Sequence, residues 1–177
     1  MSTLNVKNIQ YPAGTGTINV PSGTKIVSST SGGLYSPGNV IQTIQGSLNT
    51  AISTTSTSYI NTGLSVTITP TNASSKILIT AQLTGTSGAA NGGGFAIYRN
   101  SSAIFTPSQT DATGPYMIYG GSAWQTPILN YLDSPGSTAA LTYSIYWRAY
   151  STVFFLNGLT TATTSGISTI TVQEIGG

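Results

Sequence analysis

A chain of 177 residues with five Lys+Arg, three Asp+Glu, no His and no Cys holds almost none of the side chains that perform acid–base, nucleophilic or metal chemistry. Charged residues make up 5% of it, against about 25% in ordinary soluble domains, and the absence of Cys excludes a disulfide framework. Hydrophobic residues at 38%, with ten Tyr, four Phe and two Trp, exclude disorder. The net charge of +2 excludes an electrostatic nucleic-acid footprint.

Residues 1–38 come first and differ from the rest. Pro and Gly recur (Pro12, Gly14, Gly16, Pro21, Gly23, Gly32, Gly33, Pro37, Gly38), leaving only short β-like pieces at 4–9 and 17–20 between turn signals. Such a segment cannot bury a core alone. It reads as a flexible leader or as an arm that orders against a partner. The docking arm is the preferred reading, with Leu4, Val6, Ile9, Tyr11, Ile18 and Val20 as its contacts. The opening ten residues contain no signal-peptide apolar core. No apolar run approaches the ~20 residues that span a bilayer. The expectation is a product made in the cytoplasm, without membrane insertion.

From residue 39 the hydrophobic period is two, and one domain is predicted over 39–177. Residues 64–69 alternate without a fault. So do 141–146, which run on through Trp147-Arg-Ala-Tyr150, and 170–172, with Ile175 resuming the apolar face after two polar residues. These are half-buried antiparallel strands. Fuller apolar runs at 76–80, 95–98, 128–132 and 153–156 are further strands. Turn clusters fall at 69–72, 85–88, 91–94, 99–102 and 134–137, and no 3.6 period persists for ten residues. Eight to ten short strands with Gly/Pro turns predict an all-β fold: an antiparallel β-sandwich, of jelly-roll type, preceded by an extended arm.

The three carboxylates are Asp111, Asp133 and Glu174. Asp133 opens Asp133-Ser-Pro-Gly136, a position where Asp accepts backbone N–H bonds. Arg99 and Arg148 lie among aromatic-rich strands, and a pair with Asp133 or Glu174 is one role for them; a solvated strand end is the other. Nothing clusters as a catalytic dyad or a Ca²⁺ site, so no catalytic residue, metal or cofactor is expected. The sequons at Asn72 and Asn100 read as turns. The glycines at 91–94 read as a tight or mobile hairpin rather than a phosphate loop. Binding potential rests on the aromatics. Tyr116, Tyr119 and Trp124 crowd a Gly-rich stretch, with Ser122 and Gln125 offering polar contacts. They are candidates for a glycan or receptor contact on exposed loops, against the alternative of core or interface packing.

The opening MSTLNVKNIQYPAGTGTINVPSGTKIV resembles the N-terminal segment of phage tail-fibre and virion-appendage proteins, especially those of marine phages. Residues 37–45, 58–70, 74–79, 131–135 and 170–176 are similar, in that order, to stretches of their C-terminal β domain. The resemblance implies a virion structural protein, a homotrimer attached to other tail or capsid proteins through its N-terminal part. It also implies a distal β domain, expected to present a surface to the host, and the aromatic residues Tyr116, Tyr119 and Trp124 make a host-surface glycan the candidate partner. The long shaft usual between the two parts is missing, so a capsid decoration or cement protein is the alternative. A free carbohydrate-binding module is the alternative from another class.

Overall fold

Alternation of one buried and one outward side chain runs through nearly every long segment, and each such segment is a strand. The computed structural model describes residue 22 and residues 37–87, 92–107, 117–118, 121–150, 152–158 and 166–177, with the backbone alone at 117–118 and 121–122. The strands are β1 (Val40–Leu48), β2 (Ile52–Thr54), β3 (Ile60–Ile68), β4 (Lys76–Gln82), β5 (Gly85–Ser87), β6 (Gly93–Arg99), β7 (Ser102–Phe105), β8 (Met117–Ile118), β9 (Gly121–Gln125), β10 (Ile128–Asp133), β11 (Leu141–Ala149), β12 (Phe154–Leu156) and β13 (Ser168–Ile175). No helix occurs among the described residues. The fold is all-β and every ladder is antiparallel.

Three ladders run β1-β13-β4-β10, β3-β11-β6-β7 with β8 also on β6, and β2-β12-β5-β9. The first and third are one wall broken across its middle. β1 leads into β2, β4 into β5 and β9 into β10 after gaps of two or three residues. Register is kept across the break: Ile128 faces Gln82 and Gln125 faces Gly85. With β7 and β8 counted as one pass along β6, and β12 and β13 as one pass whose two parts are 11 residues apart, the chain makes eight passes. Passes one, eight, three and six form one wall, and passes two, seven, four and five form the other.

The core lies between the walls. Ile77, Ile79, Ala81, Leu129, Ile170 and Val172 face Leu64, Val66, Ile68, Phe95, Ile97, Tyr143, Ile145 and Trp147, all buried. Phe154, from the far half of the broken wall, packs on Phe95 and Trp147 with ring centroids 5.2 and 5.3 Å away. Aromatic contacts of this kind add to plain area burial. Two glycines permit close approach. A Cβ at Gly46 would strike the Ser65 carbonyl of the opposite wall, and one at Gly93 would strike the Phe154 ring.

The break is stitched by a buried polar network on Asn157. Its backbone sits at φ 56°, a left-handed conformation that Asn tolerates better than most residues. Its side-chain amide donates to the Leu48 carbonyl at 2.7 Å, and its side-chain oxygen accepts from the Ser168 hydroxyl at 2.7 Å. Its backbone N–H donates to the Thr84 carbonyl at 2.7 Å, and the Thr84 N–H donates to the Ser168 hydroxyl at 3.0 Å. One fully buried residue thus ties three of the four interrupted passes together and satisfies the Leu48 and Thr84 carbonyls at the interruption.

Several expectations need correction. The turn expected at 85–88 is strand β5 over its described part, fully buried. Gly93 and Gly94, expected in a hairpin, open β6 and pair with β8; the missing side chain at Gly93 makes room for Phe154. Ile175 does not resume the inner face of β13. The inward parity belongs to Ile170, Val172 and Glu174. The 99–102 turn is a two-residue hairpin on Asn100 and Ser101, with φ of 47° and 69°. That pattern of two positive φ values is the one whose twist matches paired strands.

Candidate functional site

The chemistry-bearing side chains are placed by strand parity. Asp133 was expected to start a turn, yet it ends β10 with its side chain inward. One carboxylate oxygen accepts from the Arg99 guanidinium at 2.6 Å and from the Tyr143 hydroxyl at 2.7 Å. The pair between Arg99 and Asp133 therefore forms inside the subunit, bridging β6 and β10 across one open side of the sandwich. Burial, then the Asp133 carboxylate, pushes the Tyr143 hydroxyl far above its ordinary pKa of 10.0. The hydrogen bond to Asp133 likewise raises Arg99. Buried charges need such partners.

Glu174 lies in the same ladder two strands away, at the level of Ile77, which Asp133 also faces. It is fully buried and accepts from the Gln42 side-chain amide at 2.6 Å, the Thr71 N–H at 2.8 Å and the Thr71 hydroxyl at 2.7 Å. Burial pushes its pKa upward, but the donors from Gln42 and Thr71 outweigh it and hold the carboxyl below the ordinary 4.5. Both described carboxylates are thus built into the scaffold. Asp111 lies outside the described residues. Among the described residues, no group of three or more His, Cys, Asp or Glu is placed to hold a metal ion.

Of the predicted contact residues, Trp124 and Gln125 lie on β9, a strand and not an end loop. Trp124 is 39% exposed, on the outward face with Ile128 and Leu132 of β10, which are also exposed. A side chain added at Gly166 would touch the Trp124 ring, so this indole borders the stitched break. Gln125 is half-buried. Tyr116 and Tyr119, the Ser122 side chain, and the arm residues Leu4, Val6, Ile9, Tyr11, Ile18 and Val20 lie outside the described residues.

Sequence reasoning did not single out a second aromatic group. Inward parity in β11 belongs to Leu141, Tyr143, Ile145 and Trp147, so Tyr146, Arg148 and the following Tyr150 share the outward face. Tyr98 of β6 stacks on Tyr146 with ring centroids 3.7 Å apart and planes 15° from parallel. The Arg148 guanidinium carbon lies 5.0 Å from the ring centre of Tyr59 and 5.0 Å from that of Tyr150. Arg148 also donates to the Tyr150 hydroxyl at 3.3 Å. All five side chains are half-buried, and burial raises the Tyr59 pKa. The signal was present in the sequence, since the alternation that buries Trp147 sends its neighbours Tyr146 and Arg148 outward.

No protein-family model matches the chain, and no curated protein matches it. No helix among the described residues is long and apolar enough to cross a membrane.

Proposed function

We propose that this chain is a structural protein of a phage virion. It acts as a short tail fibre or knob-like appendage, a homotrimer that docks through residues 1–38 and presents its sandwich to the host surface. The observation that carries this reading is the outward face of the β1-β13-β4-β10 ladder. Thr43, Gln45, Thr80, Asn130, Thr171 and Gln173 bond to one another in cross-strand pairs along it, Ile128 and Leu132 stand exposed beside them, and Lys76 is its one charged residue. Free proteins guard strand faces and edges with charge. A face with a single charge is explained if neighbouring chains cover it, and closed symmetry does so with one kind of contact.

Two further points support the reading. The order of the eight passes, 1-8-3-6 over 2-7-4-5, supports a jelly-roll reading, an architecture shared by viral capsid and lectin domains. The resemblance of the N-terminal segment to phage appendage proteins points the same way. We read the protein as non-enzymatic, because its described carboxylates serve the scaffold. A capsid decoration protein fits this sparsely charged face equally, and location in the particle separates the two. The tyrosine cluster around Arg148 favours a second reading, a free carbohydrate-binding module, which would need neither trimer nor arm.

Native mass spectrometry at micromolar concentration tests the assembly: a trimer is expected, and a monomer overturns it. Deleting residues 1–38 from the gene should leave a folded β domain that no longer joins particles. Incorporation of the truncated protein contradicts the docking role.

A further inference from the structure

We infer that Asn157–Gly158 is a self-modification site that the fold holds shut. The pair reacts only while the break in the wall is open, and the reaction keeps the break from closing again. Asn followed by Gly is prone to deamidation through a cyclic imide, because glycine has no Cβ to hinder attack by its own backbone nitrogen. The sequence holds two such pairs, Asn91–Gly92 and Asn157–Gly158. Asn91 lies outside the described residues, whereas Asn157 and Gly158 are both buried. The chemistry consumes water and needs no other reactant. The Gly158 nitrogen bonds to the Asn157 Cγ, the Cγ–Nδ2 bond breaks, and ammonia leaves with the proton from the Gly158 N–H. Water then opens the imide at either carbonyl, giving an aspartyl or an isoaspartyl residue at position 157.

The folded chain blocks each requirement of this step. Attack needs the Asn157 Cγ to swing over the Gly158 nitrogen. Instead the Asn157 amide donates to the Leu48 carbonyl at 2.7 Å and to the Thr50 carbonyl at 3.3 Å, and its oxygen accepts from the Ser168 hydroxyl at 2.7 Å. The main chain is pinned on both sides, with the Asn157 N–H donating to the Thr84 carbonyl at 2.7 Å and the Gly158 carbonyl accepting from the Thr86 hydroxyl at 3.2 Å. Asn157 has no exposed surface, so solvent base and water do not reach it. The product does not fit the joint. A carboxylate has no N–H to offer the Leu48 and Thr50 carbonyls, and it sets a buried charge against their oxygens. The isoaspartyl form also adds a methylene carbon to the main chain. Opening of the break is therefore recorded permanently in the covalent structure.

Peptide mapping by mass spectrometry tests the site, on full-length protein held at mildly alkaline pH with and without denaturing urea. In urea Asn157 and Asn91 should convert at similar rates, and Gly158→Ala, which supplies the hindering Cβ, should slow conversion at Asn157 about ten-fold. In the folded protein Asn157 should convert at least about 100-fold more slowly than in urea, because local opening sets the rate. Ser168→Ala removes the hydroxyl that holds the amide oxygen and should speed folded-state conversion about ten-fold. If Ser168→Ala does not fold, the wild type at low urea decides: conversion at Asn157 should rise in step with hydrogen exchange at its own amide. Protein converted in urea and then refolded should keep raised exchange at Thr84, and unconverted protein carried through the same cycle should not. Conversion of folded Asn157 at the unfolded rate overturns the inference. So does folded-state conversion that neither Ser168→Ala nor low urea accelerates, or native exchange at Thr84 in the converted protein.

Discussion

The two walls of the sandwich solve the same burial problem in different ways. The five-stranded wall has a continuous strand, β11, running nine residues through its middle. Its inner face is built from large side chains, Tyr143, Ile145 and Trp147, and its outer face from tyrosines and Arg148. The other wall is interrupted at one level in all four passes and recovers its continuity through Asn157. Its outer face is amides, hydroxyls and a few exposed aliphatics. Stability in the first wall is dominated by apolar packing, and in the second by satisfied polar groups at the break and at Glu174. Removing atoms from the first should leave cavities; removing them from the second should strand hydrogen-bonding groups.

The largest effect is expected in the continuous wall. Trp147→Ala should cost about 3–5 kcal/mol, the range for a buried aromatic, read as a shift in the midpoint of urea unfolding. A loss below about 1 kcal/mol would mean that the wall closes over the gap.

Next comes Asn157→Ala in the broken wall. It leaves the Leu48 carbonyl and the Ser168 hydroxyl without their Asn157 partner and puts Ala at a positive φ. From about 1–3 kcal/mol per stranded buried group, a loss of about 2–4 kcal/mol is expected. Hydrogen exchange should rise first at Thr84 and Asn157, beside the break, and not in β11. Uniform loss of protection would contradict a localised role.

The pH dependence separates the walls further. Glu174 has a folded pKa below its ordinary 4.5. Its contribution is complete above that ordinary value and is lost as pH falls through the lower folded one. Tyr143 is raised, so its contribution is complete below pH 10 and is lost as pH climbs beyond. Melting temperature against pH should therefore fall on both flanks. Glu174→Gln should lower the plateau by about 1–2 kcal/mol and flatten the acid flank alone.

The smallest effects lie at the surface. Ser101→Gly relieves a non-glycine residue at φ 69° and should stabilise the β6–β7 hairpin by about 1 kcal/mol. Trp124→Ala, on the exposed face of β9, should change monomer stability by less than about 1 kcal/mol while weakening self-association. A loss near that of Trp147→Ala would place the indole in the core.

The sandwich was legible because period-two alternation survives in β3, β4, β11 and β13, where each strand has one wet and one dry face. What escaped depends on partners remote in sequence. Gly85–Ser87 reads as a turn because its composition is that of turns, yet it is a strand once Phe154–Leu156 lies beside it. Asp133 reads as a turn opener until Arg99 and Tyr143 approach from other strands. Glu174 interrupts an apolar pattern that only Gln42 and Thr71, over 100 residues away in sequence, make tolerable inside. The Arg99–Asp133 pair was within reach of the sequence, since few opposite charges exist to choose from. The tyrosine face was also within reach, had the outward parity of β11 been followed as closely as the inward one. Nothing in the sequence marks Asn157 as the joint of a broken wall, because that role exists only where three passes meet.

Quantitative proteomics of gradient-purified particles from cells carrying this gene tests the virion role most directly. The expected result is that the chain copurifies at a fixed copy number divisible by three and disappears from particles when residues 1–38 are deleted. Intact protein confined to the soluble fraction, with none in the particles, would contradict it.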